Sequence, residues 1–234
     1  MPKKEYIRQM FDSIAADYDS LNHLMSLGID RSWRRRALRR ILDPSGPQQI
    51  MDLACGTGDF AIAIAKAMRE DSHVTGVDLS EGMLEVMRKK VEAEGLGGRI
   101  SIMRGEGEGL DFPEGSFDCV SIAFGIRNFE DRERGLREIL RVLRPGGRLV
   151  ILELSVPSNR ILRGLYNLYF KHIVPSIGKA VSGDGAAYRY LPASVNSFPG
   201  KKEWMQTMSA CGFSQVSHKA FSLGICRMYT AVKP

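Results

Sequence analysis

Nothing in this sequence pairs its cysteines. Cys55, Cys119, Cys211 and Cys226 have no CxxC spacing, and three of them lie in or beside apolar runs, which excludes a zinc ribbon and points to reduced core thiols. The histidines, His23, His73, His172 and His218, are equally scattered, so no metal site is expected. The stretch MPKKEYIRQMFDSIA lacks an apolar core, and no secretory signal is expected in it. Long hydrophobic runs are also lacking. The most lipid-like segment, ILRGLYNLYFKHIVPSIG, is broken by Arg163, Lys171 and Pro175 and cannot supply the roughly 20 apolar residues of a clean span. These absences predict a cytoplasmic protein and leave open a peripheral contact at the inner face of a membrane. Repeats and low-complexity tracts are missing too, and 234 residues at 44% hydrophobic and 26% charged fit a single globular domain, 1–234.

Positive charge is in excess, at net +6, and it is concentrated. RSWRRRALRR carries six arginines, at 31, 34, 35, 36, 39 and 40. Read as a helix, it places Trp33, Ala37, Leu38, Ile41 and Leu42 on one side and most arginines on the other. A solvated basic face and an attraction to anionic lipid or phosphate both fit that pattern. Nucleic acid is not expected as a partner, because no RNP motif, zinc finger or recognition-helix pattern accompanies the charge.

The middle of the chain alternates two periodicities. QIMDLA, HVTGVDL, ISIMRGE, FDCVSIAF and RLVILEL are nearly continuous in apolar or β-branched residues, as buried parallel strands are. DFAIAIAKAMRE, SEGMLEVMRKKVEAEG and DRERGLREILRVLRPGG read as helices, the last ending at Pro145 and two glycines. FSQVSHKAFS and ICRMYTAVK read as a C-terminal β-hairpin. The fold expected is α/β: a doubly wound, mostly parallel seven-stranded sheet with its ligand crevice at the carboxyl ends of the strands. Residues 1–47 are read as a helical cover over that crevice, and 156–200 as an insertion shaping a substrate pocket.

MDLACGTGDF closes the first strand and opens the first helix of this unit, where backbone N–H groups are free to meet a ligand. Gly56 and Gly58 allow the chain to turn and approach closely. Asp78 ends the second strand, about twenty residues on, where an acid can hold a ribose diol. Taken singly, the glycines fit a tight turn and Asp78 fits a cap for the helix at Ser80; together in one βαβ unit they favour a nucleoside.

The loop is Ala-Cys-Gly-Thr-Gly-Asp after Asp52, not the GxGxxG of dinucleotide folds, and it resembles the first motif of the class I S-adenosylmethionine-dependent methyltransferases. A cofactor without a pyrophosphate does not require the third glycine. The resemblance implies that Asp52 lies near the methionine amino group, that Asp78 takes the ribose hydroxyls, and that Glu106 and Gly107 meet adenine. Tyr18, Gly56, Thr57, Gly58, Leu79, Met83 and Ala123 complete the expected cofactor set. LRPGGRLVILE resembles a further motif of the class.

YDSLNHLMSLG, FGIRN and AYRYLPASV narrow this to the quinone C-methyltransferases of menaquinone and ubiquinone synthesis, a resemblance that covers nearly the whole chain. It departs from the family pattern at Glu106 and Gly107, where Asp or Asn with Ala is frequent, at Ala123, often Ser, and at Cys55, commonly Gly. The reaction implied is methyl transfer to a ring carbon of a demethylmenaquinol or a 2-polyprenyl-6-methoxy-benzoquinol. Carbon is a poor nucleophile, so the quinol must lose a phenolic proton while held in line and dry. Arg127 and Asn128, at the end of the fourth strand, are the expected catalytic residues. A guanidinium keeps its proton, so its expected role is to stabilise a phenolate, with Asn128 orienting the hydroxyl. The alternative, in which Arg127 pairs with Glu130 or Asp131 and Asn128 caps the next helix, stays open.

Tyr18, Asp19 and Asn22 match the family's N-terminal motif and suit either closure over the ligands or plain packing. Tyr188, Arg189 and Tyr190 suit a pocket border or the docking of the insertion. Tyr166, Tyr169 and Phe170 suit an isoprenoid tail or a core stripe. Three rival functions remain: methyl transfer to another small lipophilic substrate, a non-catalytic nucleoside-binding component of a quinone-synthesis complex, and an NAD enzyme, which the loop disfavours. A homodimer through the insertion is compatible with the sequence.

Overall fold

The computed structural model describes residues 3–169, 172 and 185–234. Phe170 and the side chains of Tyr188 and Arg189 lie outside the described residues. Seven strands, β1 Gln49–Leu53, β2 His73–Asp78, β3 Ile100–Arg104, β4 Phe117–Ala123, β5 Leu143–Leu154, β6 Ser214–Phe221 and β7 Cys226–Val232, form one sheet in the order β3-β2-β1-β4-β5-β7-β6. β1 to β5 are parallel, and β7 runs antiparallel to both its neighbours. The doubly wound, mostly parallel sheet and its C-terminal hairpin are therefore as the residue pattern predicts.

The helices are α1 Lys3–Ile14, α2 Tyr18–Ser26, α3 Ile29–Ile41, α4 Asp59–Ala67, α5 Glu81–Ala93, α6 Arg132–Val142, α7 Arg160–Leu168, α8 Gly185–Asn196 and α9 Lys201–Ala210. Successive side chains of a strand point to opposite faces, so continuous apolar runs feed two cores. Ile50, Cys119, Val150 and Leu152 pack with Trp33, Ala37, Phe60 and Leu84 of α3, α4 and α5. Met51, Val120, Leu149 and Ile151 pack with Leu136 and Ile139 of α6 and Trp204 and Met208 of α9.

Side-chain caps set several helix starts. Ser80 accepts from the Met83 N–H, Asp131 from Arg134 and Asn159 from Ile161 and Leu162. α6 stops earlier than its sequence suggests. It ends at Val142, and the Arg-Pro-Gly-Gly stretch belongs to β5, where Leu143 already pairs with Phe117 and Gly146 takes a φ of 76°. Pro145 has no N–H to continue a helix, and the glycine supplies the left-handed turn.

A third, smaller core of Met10, Ile14, Leu21 and Met83 seats α1 and α2 on α5. Asp12 of α1 adds a polar tie to the start of α5, accepting from Ser80 Oγ at 2.6 Å and the Gly82 N–H at 3.0 Å. The basic helix α3 buries Trp33, Ala37 and Ile41, while Arg31, Arg35, Arg36, Arg39 and Arg40 stay exposed. Arg34 turns inward instead, pairing with Asp30 at 2.7 Å and Asp59 at 3.5 Å. Among the described residues, no helix is long and apolar enough to cross a membrane, and no three His, Cys, Asp or Glu side chains are grouped to hold a metal.

Candidate active site

The strand order reverses direction between β1 and β4, and the chain leaves both strand ends under strain. Ala54, after β1, has φ 54°, and Phe124, after β4, has φ 62°, a region costly for residues with a side chain. Gly125 must follow, because a Cβ there would stand 2.5 Å from that of Ala54. Two cavities open at this point and share Tyr18 and Phe124 in their walls.

The first cavity lies along the ends of β1, β2 and β3. Tyr18, Gly56, Asp78, Leu79, Met83, Glu106, Gly107, Ala123 and Asn128 line it, so most of the expected cofactor set converges here. Asp78 accepts from the Gly56 N–H at 2.8 Å and the Ser80 N–H at 2.9 Å, which aims its carboxylate and fixes the glycine turn. Burial raises its pKa above the usual range, with these N–H groups pulling the other way. Asp78 does not cap α5; that place is taken by Ser80.

Other members of the set sit behind the loop rather than on the cavity wall. Gly58 has φ 83° and is closed in by Met87, so it serves the turn into α4. Thr57 donates its hydroxyl to Asp19, tying the loop to α2. Asp52 is fully buried: Ser121 Oγ donates to Oδ1 at 2.7 Å, the Ala61 N–H at the start of α4 is also directed at the carboxylate, and Oδ2 makes no full hydrogen bond. Burial lifts its pKa to about 7. An ammonium group nearby would satisfy the second oxygen and bring that pKa down.

The pattern of residues did not single out the contribution of α1. Lys4, Ile7, Arg8 and Phe11 line the first cavity, and Lys4 pairs with Glu106. Phe129 also lines it, with its ring filling the space that a side chain at Gly107 or Gly135 would need.

The second cavity, of about 360 Å³, is walled mostly by apolar side chains, among them Met25, Trp33, Phe124, Leu162, Tyr166 and Tyr169. Arg127 reaches this cavity, while its neighbour Asn128 faces the first. The short 3₁₀ turn Ile126–Asn128 makes that split, presenting consecutive side chains in different directions.

Arg127 is buried, and its partner is neither Glu130 nor Asp131. Nη1 donates to Glu153 Oε1 at 2.9 Å and to the Phe124 carbonyl, Nε donates to Ser194 Oγ at 3.3 Å, and the backbone N–H donates to Glu153 Oε2 at 3.2 Å. Glu153, near the end of β5, is completely buried. Its sequence signal was present: a lone acid inside RLVILEL, where a buried charge requires a buried partner. Asp131 caps α6, and Asn128 Oδ1 accepts from Tyr190 OH at 3.1 Å.

A sequence profile described as the ubiE/COQ5 methyltransferase family matches residues 1–233. The demethylmenaquinone methyltransferase of Bacteroides fragilis is 48% identical over 231 residues, covering 99% of this chain and 94% of that one. The ubiquinone/menaquinone biosynthesis C-methyltransferase UbiE of Geobacter sulfurreducens is 46% identical, covering 99% of this chain and 90% of its own. Among solved structures, a SAM-dependent methyltransferase of Thermotoga maritima superimposes with a TM-score of 0.67 at 20% identity, over 97% of this chain and 99% of the other, which speaks to the fold alone. The strained switch point, the glycine loop with its two acids and the full-length match agree: the chain belongs to the ubiE/COQ5 methyltransferase family.

Proposed function

We propose that the protein transfers a methyl group from S-adenosylmethionine to a ring carbon of a demethylmenaquinol. The observation that carries this is the split at the 3₁₀ turn: Asn128 faces a polar nucleoside-type cavity and Arg127 an adjoining apolar one. Relatives bearing both the menaquinone and the joint ubiquinone/menaquinone names support the quinol class, and the second name favours a polyprenyl-methoxy-benzoquinol as a further substrate.

The residues present fit the cofactor. Asp78 is aimed to accept two ribose hydroxyls, Asp52 has a buried oxygen free for the methionine ammonium, and Glu106 with Gly107 stands where adenine is expected. When bound, S-adenosylmethionine supplies a methyl group electrophilic enough for a carbon nucleophile. Glu153 holds the Arg127 guanidinium in position through their 2.9 Å ion pair, and a guanidinium does not give up its proton, so Arg127 acts as a fixed cation that stabilises the quinolate rather than as a base. Asn128, set by Tyr190, orients the quinol hydroxyl, whose proton passes to solvent as the quinolate forms and before the ring is enclosed. Once the methyl group is attached, the ring carbon's own proton moves to the oxygen and restores the aromatic quinol, so one proton is released overall. Tyr18 and Phe124, common to both cavities, keep water from the reacting atoms. The described parts of the cover, 3–47, and of the insertion, 156–169 and 185–200, then act as the enclosing parts of a single domain.

Incubation with methyl-labelled S-adenosylmethionine and a reduced, short-tailed demethylmenaquinol tests this, the expected result being label on the quinone ring. Binding of both ligands without transfer would instead support a non-catalytic component. Tight NAD binding without S-adenosylmethionine binding would remove the cofactor assignment.

A further inference from the structure

Among the described residues nine large apolar side chains are exposed, and all but Tyr6 and Met103 gather at one cavity. Leu27, Ile29, Leu165 and Leu223 line the mouth of the second cavity, and Leu24, Ile161 and Leu168 are chain neighbours of lining residues Met25, Leu162 and Tyr169. The three parts of the chain that bring them together, the α2–α3 turn, α7 and the β6–β7 turn, are far apart in sequence. The most prominent are Leu27 at 79% exposure, Ile161 at 77% and Leu223 at 75%. Leu27 and Leu223 also sit at φ 51° and 57°, a backbone region that disfavours leucine. Two loop tips thus hold bulky apolar groups outward in strained positions, and an apolar rim of this extent marks an interaction surface.

Charge beside the rim identifies the partner. Ile29 begins α3, whose exposed Arg31, Arg35 and Arg39 follow at helical spacing along one stripe. The same helix reaches the β6–β7 turn: Trp33 Nε1 donates to Ser222 Oγ at 3.0 Å, and the Arg36 guanidinium lies over the Phe221 ring at 5.5 Å. Arg160 and Arg163 alternate with the exposed apolar residues of α7. Apolar tips flanked by the arginines of α3 and α7, with no compensating acid at Arg31, Arg35 or Arg39 among the ion pairs of the described residues, complement an anionic lipid surface.

We infer that the mouth of the second cavity docks onto an anionic bilayer, with Leu27, Leu223 and the exposed side of α7 entering the acyl boundary and the α3 arginines meeting lipid phosphates. This rests on the reading of that cavity as the site of a lipophilic quinol. It adds a route: the isoprenoid tail passes from leaflet to cavity without crossing water.

Vesicle flotation of the full chain tests the surface. The wild type is expected to float with phosphatidylglycerol/phosphatidylcholine vesicles and far less with phosphatidylcholine alone. Arg31→Ala with Arg35→Ala should weaken binding to the anionic vesicles by about 25-fold, at roughly fivefold per arginine, and leave turnover of a short-tailed quinol in lipid-free solution at the wild-type level. Leu27→Asn with Leu223→Asn should reduce flotation on both vesicle types without lowering the melting temperature, since asparagine tolerates the left-handed backbone better than leucine. Absence of wild-type binding to anionic vesicles, or binding indifferent to both variants, overturns the inference. So does a solution dimer that Leu27→Asn with Leu223→Asn splits while vesicles bind neither protein, which would make this face a subunit interface. Turnover without vesicle binding removes the docking surface alone; vesicle binding without turnover removes the proposed reaction and leaves the surface standing.

Discussion

The first cavity is built on three neighbouring strand ends and the tight loop after β1, with Lys4 and Arg8 of α1 and Asn128 of the 3₁₀ turn added at its edge, whereas the second gathers its walls from α2, α3, α7, α8 and the β6–β7 turn. The contrast follows from what each must hold. Hydrogen bonds are directional and fail when a donor is displaced by an ångström, so Asp78, Gly56 and Ser80 are fixed by the backbone of one βαβ unit. Apolar contact is non-directional and needs only area, so it can be assembled from distant segments with no shared motif. Arg127 and Asn128 are where the two designs meet, one residue on each side.

The largest expected effect comes from breaking that junction. Arg127→Ala strips Glu153 of its partner, and an uncompensated buried carboxylate costs about 3–5 kcal/mol of stability, so activity loss alone would be uninformative. Arg127→Lys keeps a cation for Glu153 but cannot donate in the same fork. It should fold, bind S-adenosylmethionine as the wild type does, and turn over roughly 100-fold more slowly. Isothermal titration paired with single-turnover kinetics checks both halves. A loss confined to cofactor affinity would move Arg127 to the other cavity.

Asp78→Ala probes the polar side by itself. Losing a charge-assisted bond to the ribose is worth about 1.5–3 kcal/mol, or roughly a tenfold to hundredfold weaker cofactor affinity. Turnover at saturating cofactor should stay close to wild type, the opposite split from Arg127→Lys.

How much of this was legible beforehand follows the same division. Gly56 and Asp78 could be placed together at one cavity because a strand, a loop and a helix adjacent in sequence carry them, while Asp52 falls behind the loop. The parallel strands could be read because burial on both faces leaves continuous apolar runs such as LVIL in β5. Glu153 could not be matched to Arg127, since they lie 26 residues apart and only the β4–β5 pairing brings them together. Glu130 and Asp131 were nearer in sequence, but the 3₁₀ turn points Arg127 away from them. The apolar rim was illegible for a related reason: Leu27, Leu165 and Leu223 carry no pattern until the fold places them side by side.

Asp52 offers a test in solution pH. Its folded pKa is raised to about 7, so between the ordinary aspartate value and about pH 7 the folded state holds a proton that the unfolded chain has released. This contribution to stability is present at low pH and is lost as pH rises toward 7. A cofactor ammonium beside Asp52 favours the charged carboxylate, so binding should release a proton and tighten by up to about tenfold per pH unit below pH 7. Asp52→Asn should flatten that dependence in titrations across the range, while the wild type retains it.

The smallest effect is expected where the two walls touch through packing alone. Phe129 fills the space beside Gly107 and Gly135, leaving no room for a methyl group at Gly107. Gly107→Ala should therefore cost about 1–3 kcal/mol through overpacking, seen as a lower melting temperature. Phe129→Leu removes the ring that a methyl would strike, so the double variant should be less destabilised than the two single effects summed. If the effects add instead, the backbone at Gly107 absorbs the methyl group and Phe129 is not what requires glycine there. Coupling that also restores cofactor affinity would identify the ring as the floor on which the nucleoside end rests, making the first cavity dependent on one apolar contact as well as on its hydrogen bonds.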